Sequence, residues 1–336
     1  MITEAPDITL LADHGTRRAA APASGSLACC LLAGVLLAAM ATEVGAEPVA
    51  TDAAGEWPAA PQPAVRQMLG VSIPMRDGVE LVGDLWLPAA GGPHPVVLYR
   101  TPYQRNMDVR PPYDSVIREA HAYARRGIGF LIQDVRGRGE SGGEFRYFHG
   151  ESRDGHDTIE WIARQPWSNG QVAMLGGSYV GTVQWLAARE RPPHLTCLFS
   201  QAPTAYPFEE VPYIGGAFQL RWAMSWPLLV SGRLMHENVA SLTDWEPVLR
   251  HRPIATMDQA LGRELPLLRQ FLRHATLDDW WREIMLGPEH FRGLDLPAFH
   301  VTGWYDGLLP GTLHYWRGMR ELSAAPASQR LLIGPW

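Results

Sequence analysis

The sequence predicts an α/β domain, a mostly parallel sheet covered by helices on both faces, with a helical stretch inserted late in the chain. Three observations carry this. Short apolar runs alternate with segments of helical period from Val96 to Ala187. The runs are apolar throughout, as strands buried on both faces must be. Between about residues 204 and 290 the strand rhythm stops, and Trp and Leu recur at helical spacing, for example Leu268, Phe271 and Leu272.

Taken in order, Val71–Met75 and Val79–Leu87 flank the turn tripeptide Arg76-Asp77-Gly78 and read as an antiparallel hairpin. Strand Val96–Tyr99, a helix around Val116, Ala120, Tyr123 and Ala124, and strand Ile128–Gln133 follow. A helix around Ile159, Ile162 and Ala163, strand Val172–Leu175 and a helix around Val183, Leu186 and Ala187 complete a βαβαβα series. The sheet resumes at Cys197–Phe199, Phe299–Val301 and Leu331–Ile333, with a helix at Thr312–Leu322 before the last strand. The insert, about 204–290, reads as a helical cap whose Trp222, Trp226, Trp280 and Trp281 either pack the core or line a pocket.

Composition removes several classes of function. The 336 residues are 46% apolar, enough to bury a full core. A net charge of −6 without a basic stripe argues against nucleic acid as a partner. All 29 basic residues are Arg, so lysine-based Schiff-base chemistry and a P-loop are both excluded. The histidines form neither H-E-x-x-H nor H-x-H, and no metal or other cofactor is expected.

Arg17 and Arg18 precede the apolar run Leu27–Thr42, which ends in Val44-Gly45-Ala46. This is the pattern of an export signal cleaved near Ala46. A stable membrane anchor is not expected, since a span needs about 20 apolar residues. Residues 1–46 are therefore read as a signal peptide, 47–70 as a flexible Ala/Pro-rich leader and 71–336 as the folded domain, with a periplasmic or secreted location. Cys29 and Cys30 leave with the signal, and Cys197 remains in the apolar context LTCLFS as an inert buried thiol.

Strand Val172–Leu175 runs into Gly176-Gly177-Ser178-Tyr179-Val180-Gly181 and then a helix. A nucleophilic serine on a tight strand-to-helix turn needs glycines around it, because side chains there collide with the neighbouring strand and helix. Glycines stand at −2, −1 and +3 from Ser178, while Val180 holds the +2 position that is Gly in the general motif.

Further stretches follow in order: Ile73–Pro88, Tyr99–Tyr103 (YRTPY), Gln133–Glu144 (QDVRGRGESGGE), Asp154–Gly170, Gly176–Gly181 (GGSYVG), Gly303–Gly307 (GWYDG) and Gly334–Trp336 (GPW). Together they resemble the cocaine-esterase and glutaryl-acylase (CocE/NonD) hydrolases, relatives of X-Pro dipeptidyl-peptidases and α-amino-acid ester hydrolases within the α/β-hydrolase fold. In that family the serine motif is G-x-S-Y-x-G, which Val180 fits.

The resemblance implies roles. Ser178 resembles the nucleophile and Asp306 the acid that orients the catalytic histidine. The Tyr179 amide and the Tyr103 phenol resemble the oxyanion donors; a phenol with pKa near 10 stays protonated at neutral pH. Trp222, Trp226, Glu209, Glu210 and Leu308 are substrate-binding candidates, although the two acids read in the first place as a solvated cap edge. Asp134, Arg136 and Arg138 read as a network that holds loops.

The implied activity is hydrolysis of an ester or amide through an acyl-enzyme, on a small molecule or short peptide. X-Pro exopeptidase activity is one alternative and a dead scaffold another; self-association is left open. The family's histidine lies two residues beyond the Trp of GPW, and a β-jelly-roll follows. Neither falls within residues 1–336, and His314 is expected on a helix. The expectation is a truncated, nearly inactive 336-residue polypeptide whose longer form is the hydrolase.

Overall fold

The computed structural model describes residues 64–106 and 116–336. The expected export signal, and the leader before residue 64, lie outside the described residues. The strands of the body are β1 (Val65–Pro74), β2 (Glu80–Pro88), β3 (His94–Thr101), β4 (Gly129–Asp134), β5 (Ser168–Gly177), β6 (Leu195–Gln201), β9 (Ala298–Gly303) and β10 (Gln329–Gly334). Its helices are α1 (Val116–Ala124), α2 (Glu151–Ala163), α3 (Tyr179–Arg189) and α10 (Leu309–Leu322).

The strands form one sheet in the order β1-β2-β4-β3-β5-β6-β9-β10. The β1–β2 and β2–β4 pairs are antiparallel and the remaining pairs parallel. This is the α/β-hydrolase arrangement that the sequence predicts. One correction concerns the leader: β1 begins at Val65, so residues 65–70 belong to the sheet. As an edge strand β1 leaves most of its side chains exposed and is held by backbone pairing to β2, so it lacks the alternation that marks a half-buried strand.

A row of side chains crosses the sheet on one face. Leu85 pairs with Leu131, Leu131 with Leu98, Leu98 with Met174, Met174 with Leu198, and Leu198 with Ala298. All six are fully buried. Full burial of one large apolar side chain contributes about 1.5–3 kcal/mol, so this row fixes both the register and the strand order. Helix α3 packs against it with a sequence, YVGTVQWLAAR, buried nearly all round.

Between β6 and β9 lies the cap. It contains a ribbon of β7 (Tyr213–Ile214) and β8 (Ala217–Phe218), then α4 (Leu220–Leu229), α5 (Glu237–Leu242), α6 (Trp245–Arg250), a 3-10 turn (Ile254–Leu261), α7 (Pro266–Arg273), α8 (Asp279–Arg282) and α9 (Pro288–Phe291). Met224, Leu228, Met257, Leu265 and Leu268 give it a core of its own. Phe271 and Trp281 join the main core and anchor the cap to the body. The ribbon is an addition to the purely helical insert that the Trp and Leu spacing predicts. Its strands are two residues long, too short for a period-2 pattern to register.

Candidate active site

Parallel strands β3, β5, β6 and β9 all run toward the same end of the sheet, where open α/β sheets place their ligand sites. The chain leaves β5 through Ser178, whose side chain is exposed and whose backbone sits at φ 57°, ψ −125°. A left-handed conformation at a non-glycine residue costs on the order of 1–3 kcal/mol and persists only where the surroundings impose it.

Two of the three glycines beside it are required by close packing. A Cβ on Gly176, at φ +135°, would stand 2.3 Å from Val180 Cγ1. The valine in the place of the general motif's glycine thus occupies the space of a side chain at 176, a position whose φ already favours glycine. A Cβ on Gly181 would stand 2.8 Å from the Gln201 carbonyl, so α3 approaches β6 only with glycine there. Gly177 differs: its nearest neighbour would be at an ordinary 3.6 Å.

Ser178 N–H donates to the Gln201 carbonyl at 2.9 Å. Tyr179 opens α3, so its N–H has no intrahelical acceptor and lies at the positive end of the helix. Tyr103 follows β3. Its phenol oxygen receives the Trp226 indole N–H at 3.3 Å and lines the same cavity as Ser178. Burial pushes the Tyr103 pKa up, which keeps the proton on this donor through neutral pH.

Ser178 opens into a cavity of about 240 Å³. Tyr103, Tyr147, Phe148, Trp222 and Trp226 give it an aromatic wall, and Thr204, Glu210, Gly307 and Leu308 line it elsewhere. Of the predicted substrate-binding residues, Trp222, Trp226, Glu210 and Leu308 therefore reach the cavity, and Glu209 does not. Trp281 is core, and Trp280 packs outside the cavity between His149 and His274. Tyr147 and Phe148 carried no periodic signal. Their one sequence clue was two adjacent aromatics in the segment that follows a parallel strand.

Glu210 needs a correction, since it is buried rather than solvated at a cap edge. Oε2 accepts from Thr204 Oγ1, from Ala205 N–H at 3.0 Å and from Tyr206 N–H at 3.1 Å, and Oε1 accepts from Gly311 N–H at 2.6 Å. Glu209 is exposed. Burial raises the Glu210 pKa, and these donors oppose that rise.

Asp306 sits in the turn between β9 and α10, directly before the cavity residues Gly307 and Leu308, and its Oδ1 accepts from Leu308 N–H at 2.8 Å. No histidine among the described residues lines the cavity. His314 shares Nδ1 with the Tyr206 hydroxyl at 2.8 Å and Nε2 with the Leu286 carbonyl at 2.9 Å, so both ring nitrogens are engaged elsewhere. The described residues also bring together no cluster of metal-binding side chains.

The DVRGRG acids and arginines form the expected structural network. Arg105 joins Asp84, Asp134 and Glu140, and Arg136 joins Asp154 and Asp77. Arg138, fully buried, donates to the carbonyls of Pro102, Val230 and Gly232, tying the peptide before Tyr103 to the end of α4.

Residues 77–336 match the family model described as X-Pro dipeptidyl-peptidase (S15 family). The chain is 33% identical over 282 residues to cocaine esterase from Rhodococcus sp. (strain MB1 Bresler), covering 79% of this chain and 48% of that one. It thus spans about half the length of this curated relative. Among solved structures, an α-amino acid ester hydrolase superposes with a TM-score of 0.62 at 23% identity, covering 87% of this chain and 51% of that one. A CocE/NonD family hydrolase from Staphylococcus aureus superposes at 0.61 with 19% identity, covering 80% and 46%. These superpositions show a shared fold.

Proposed function

The chain belongs to the X-Pro dipeptidyl-peptidase (S15) family, and from that premise we propose that the protein is a serine hydrolase that cleaves acyl esters through an acyl-enzyme intermediate. The observation that carries this reading is an exposed, left-handed Ser178 at the N-terminus of a buried helix, in one cavity with the Tyr103 phenol. Ser178 Oγ attacks the acyl carbonyl. The resulting oxyanion is received by the Tyr179 N–H and the Tyr103 O–H, donors set before the reaction begins and each worth a few kcal/mol of barrier. Because the Trp226 indole donates to the Tyr103 oxygen, the phenol's own proton is available to the substrate. Collapse expels the alcohol, and water then releases the acid.

The Ser178 proton requires a general base, and Asp306, directly before the cavity residues Gly307 and Leu308, is placed to orient a histidine in that role. The cavity is smaller than the roughly 300–1,000 Å³ of a drug-sized ligand site, so the acyl group it takes is compact. A peptide with a free amino terminus fits less well. The carboxylate lining the cavity, Glu210, already accepts from four donors, and little of its charge remains for a substrate ammonium.

The test uses the full-length protein, with p-nitrophenyl acetate, an amino-acid aryl ester and an X-Pro anilide side by side. Turnover of the simple ester, lost in Ser178→Ala, is the expected result. Preference for the X-Pro anilide refutes the ester reading, and equal turnover by Ser178→Ala refutes the serine mechanism. We further propose that residues 1–46 direct export. N-terminal sequencing of the exported protein is expected to read Glu47 first, and a retained Met1 counts against it.

A further inference from the structure

A buried ion pair lies behind the turn that carries Ser178. Arg100, fully buried near the end of β3, sets Nη1 2.7 Å from Oε2 of Glu151, the first residue of α2. Its Nε donates to Gln133 Oε1 at 2.8 Å, and its Nη1 also reaches the Glu151 carbonyl at 3.2 Å. The other carboxylate oxygen, Oε1, accepts from the Tyr179 hydroxyl at 3.0 Å. The Tyr179 ring is held on one face by Phe148 at a centroid distance of 4.2 Å. Arg100, Glu151 and Tyr179 are each at most 3% exposed.

The three side chains come from three elements and lead to both oxyanion donors. Arg100 is three residues before Tyr103, and Tyr179 is the first residue of α3 and lines the cavity. A buried ion pair is a poor source of net stability, since desolvation consumes most of its Coulombic gain. Its value lies in fixing geometry, and here the fixed group is the side chain of the residue next to a strained serine.

We infer that Glu151, held by Arg100, is a positioning residue for the oxyanion amide: by gripping the Tyr179 hydroxyl it holds the Ser178–Tyr179 peptide at the angle where its N–H meets the developing charge. The inference rests on the hydrolase reading above. It adds a role for the Tyr179 side chain, which the backbone role alone does not require.

Tyr179→Phe tests it in the full-length protein, because the substitution deletes one hydroxyl while the ring stack and the ion pair remain. Activity is measured per site titrated with a fluorophosphonate. The kcat for an aryl ester is expected to fall about tenfold or more with KM within twofold of wild type, because a misaimed donor loses transition-state contact and not substrate contact. Affinity for phenylboronic acid, whose serine adduct carries the charge, is expected to fall by the same factor. Glu151→Gln, which keeps an acceptor for the hydroxyl, is expected to stay closer to wild type than Glu151→Leu.

Wild-type kcat and boronate affinity in Tyr179→Phe overturn the inference, as does a lowered Tm with unchanged turnover per titrated site. A rise in KM at constant kcat overturns it too. Absence of Ser178-dependent turnover in the wild type overturns the hydrolase reading, and this inference with it.

Discussion

The Tyr103 phenol receives the Trp226 indole N–H at 3.3 Å and lines the cavity together with Ser178, so a side chain of the cap and one of the body meet on a single oxygen. The cap's part of the cavity wall and the phenol beside the serine thus share one contact. Tyr103→Phe keeps the ring and removes the donor. Its kcat for an aryl ester is expected to fall about a hundredfold with little change in KM. Trp226→Phe, which leaves the phenol in place but unfixed, is expected to lose less. Steady-state kinetics on both variants checks the order, and a Tyr103→Phe enzyme at wild-type kcat contradicts the assignment.

The three glycines around Ser178 are not equivalent. Gly176→Ala and Gly181→Ala bring a methyl to 2.3 Å from Val180 and 2.8 Å from the Gln201 carbonyl, respectively. Both are expected to abolish Ser178 labelling or folding. Gly177→Ala meets nothing closer than 3.6 Å and is expected to keep most of the labelling rate. Fluorophosphonate labelling together with thermal melts separates the cases.

Glu210 fastens the loop after β6 to the start of α10 through Thr204, Tyr206 and Gly311. In Glu210→Gln an amide N–H₂ must face some of these donors. Leaving such buried groups unsatisfied costs about 1–3 kcal/mol, so the thermal midpoint is expected to fall measurably. Exposed Glu209→Gln is the control and is expected to melt like wild type. Equal midpoints for the two variants contradict the anchoring role.

Stability should depend on pH through His300. It is fully buried, stacked on Trp185 and 3.2 Å from Gln329 Oε1, and burial pushes its pKa down from 6.5 to about 4. A depressed folded pKa means that the unfolded chain takes up the proton first. The stabilisation is therefore complete above about pH 6.5 and is lost progressively as pH falls toward 4. The full shift corresponds to about 3 kcal/mol. Thermal midpoints from pH 7.5 to 4.5 are expected to decline, and less steeply in His300→Phe. An identical slope in that variant contradicts the assignment.

The sheet was legible in the sequence because each buried strand is a continuous apolar run, from Val96–Tyr99 to Leu331–Ile333. The turn at Ser178 was legible because its backbone demands glycine. What stayed hidden depends on distant partners. Glu210 is buried where its own loop meets Gly311, 101 residues away, which donates to it. Tyr147 and Phe148 reach the cavity through the path of the loop before α2 rather than through any period, with Phe148 at φ 57°. Strand β1 is an exposed edge, without the apolar alternation that announces a half-buried strand.

The central claim is that Ser178 is the nucleophile, and the most direct measurement is peptide mapping after reaction with a fluorophosphonate. The account predicts a single adduct, on Ser178, formed more slowly in Tyr103→Phe and absent in Ser178→Ala. An adduct on another residue, or equal labelling of Ser178→Ala, contradicts it.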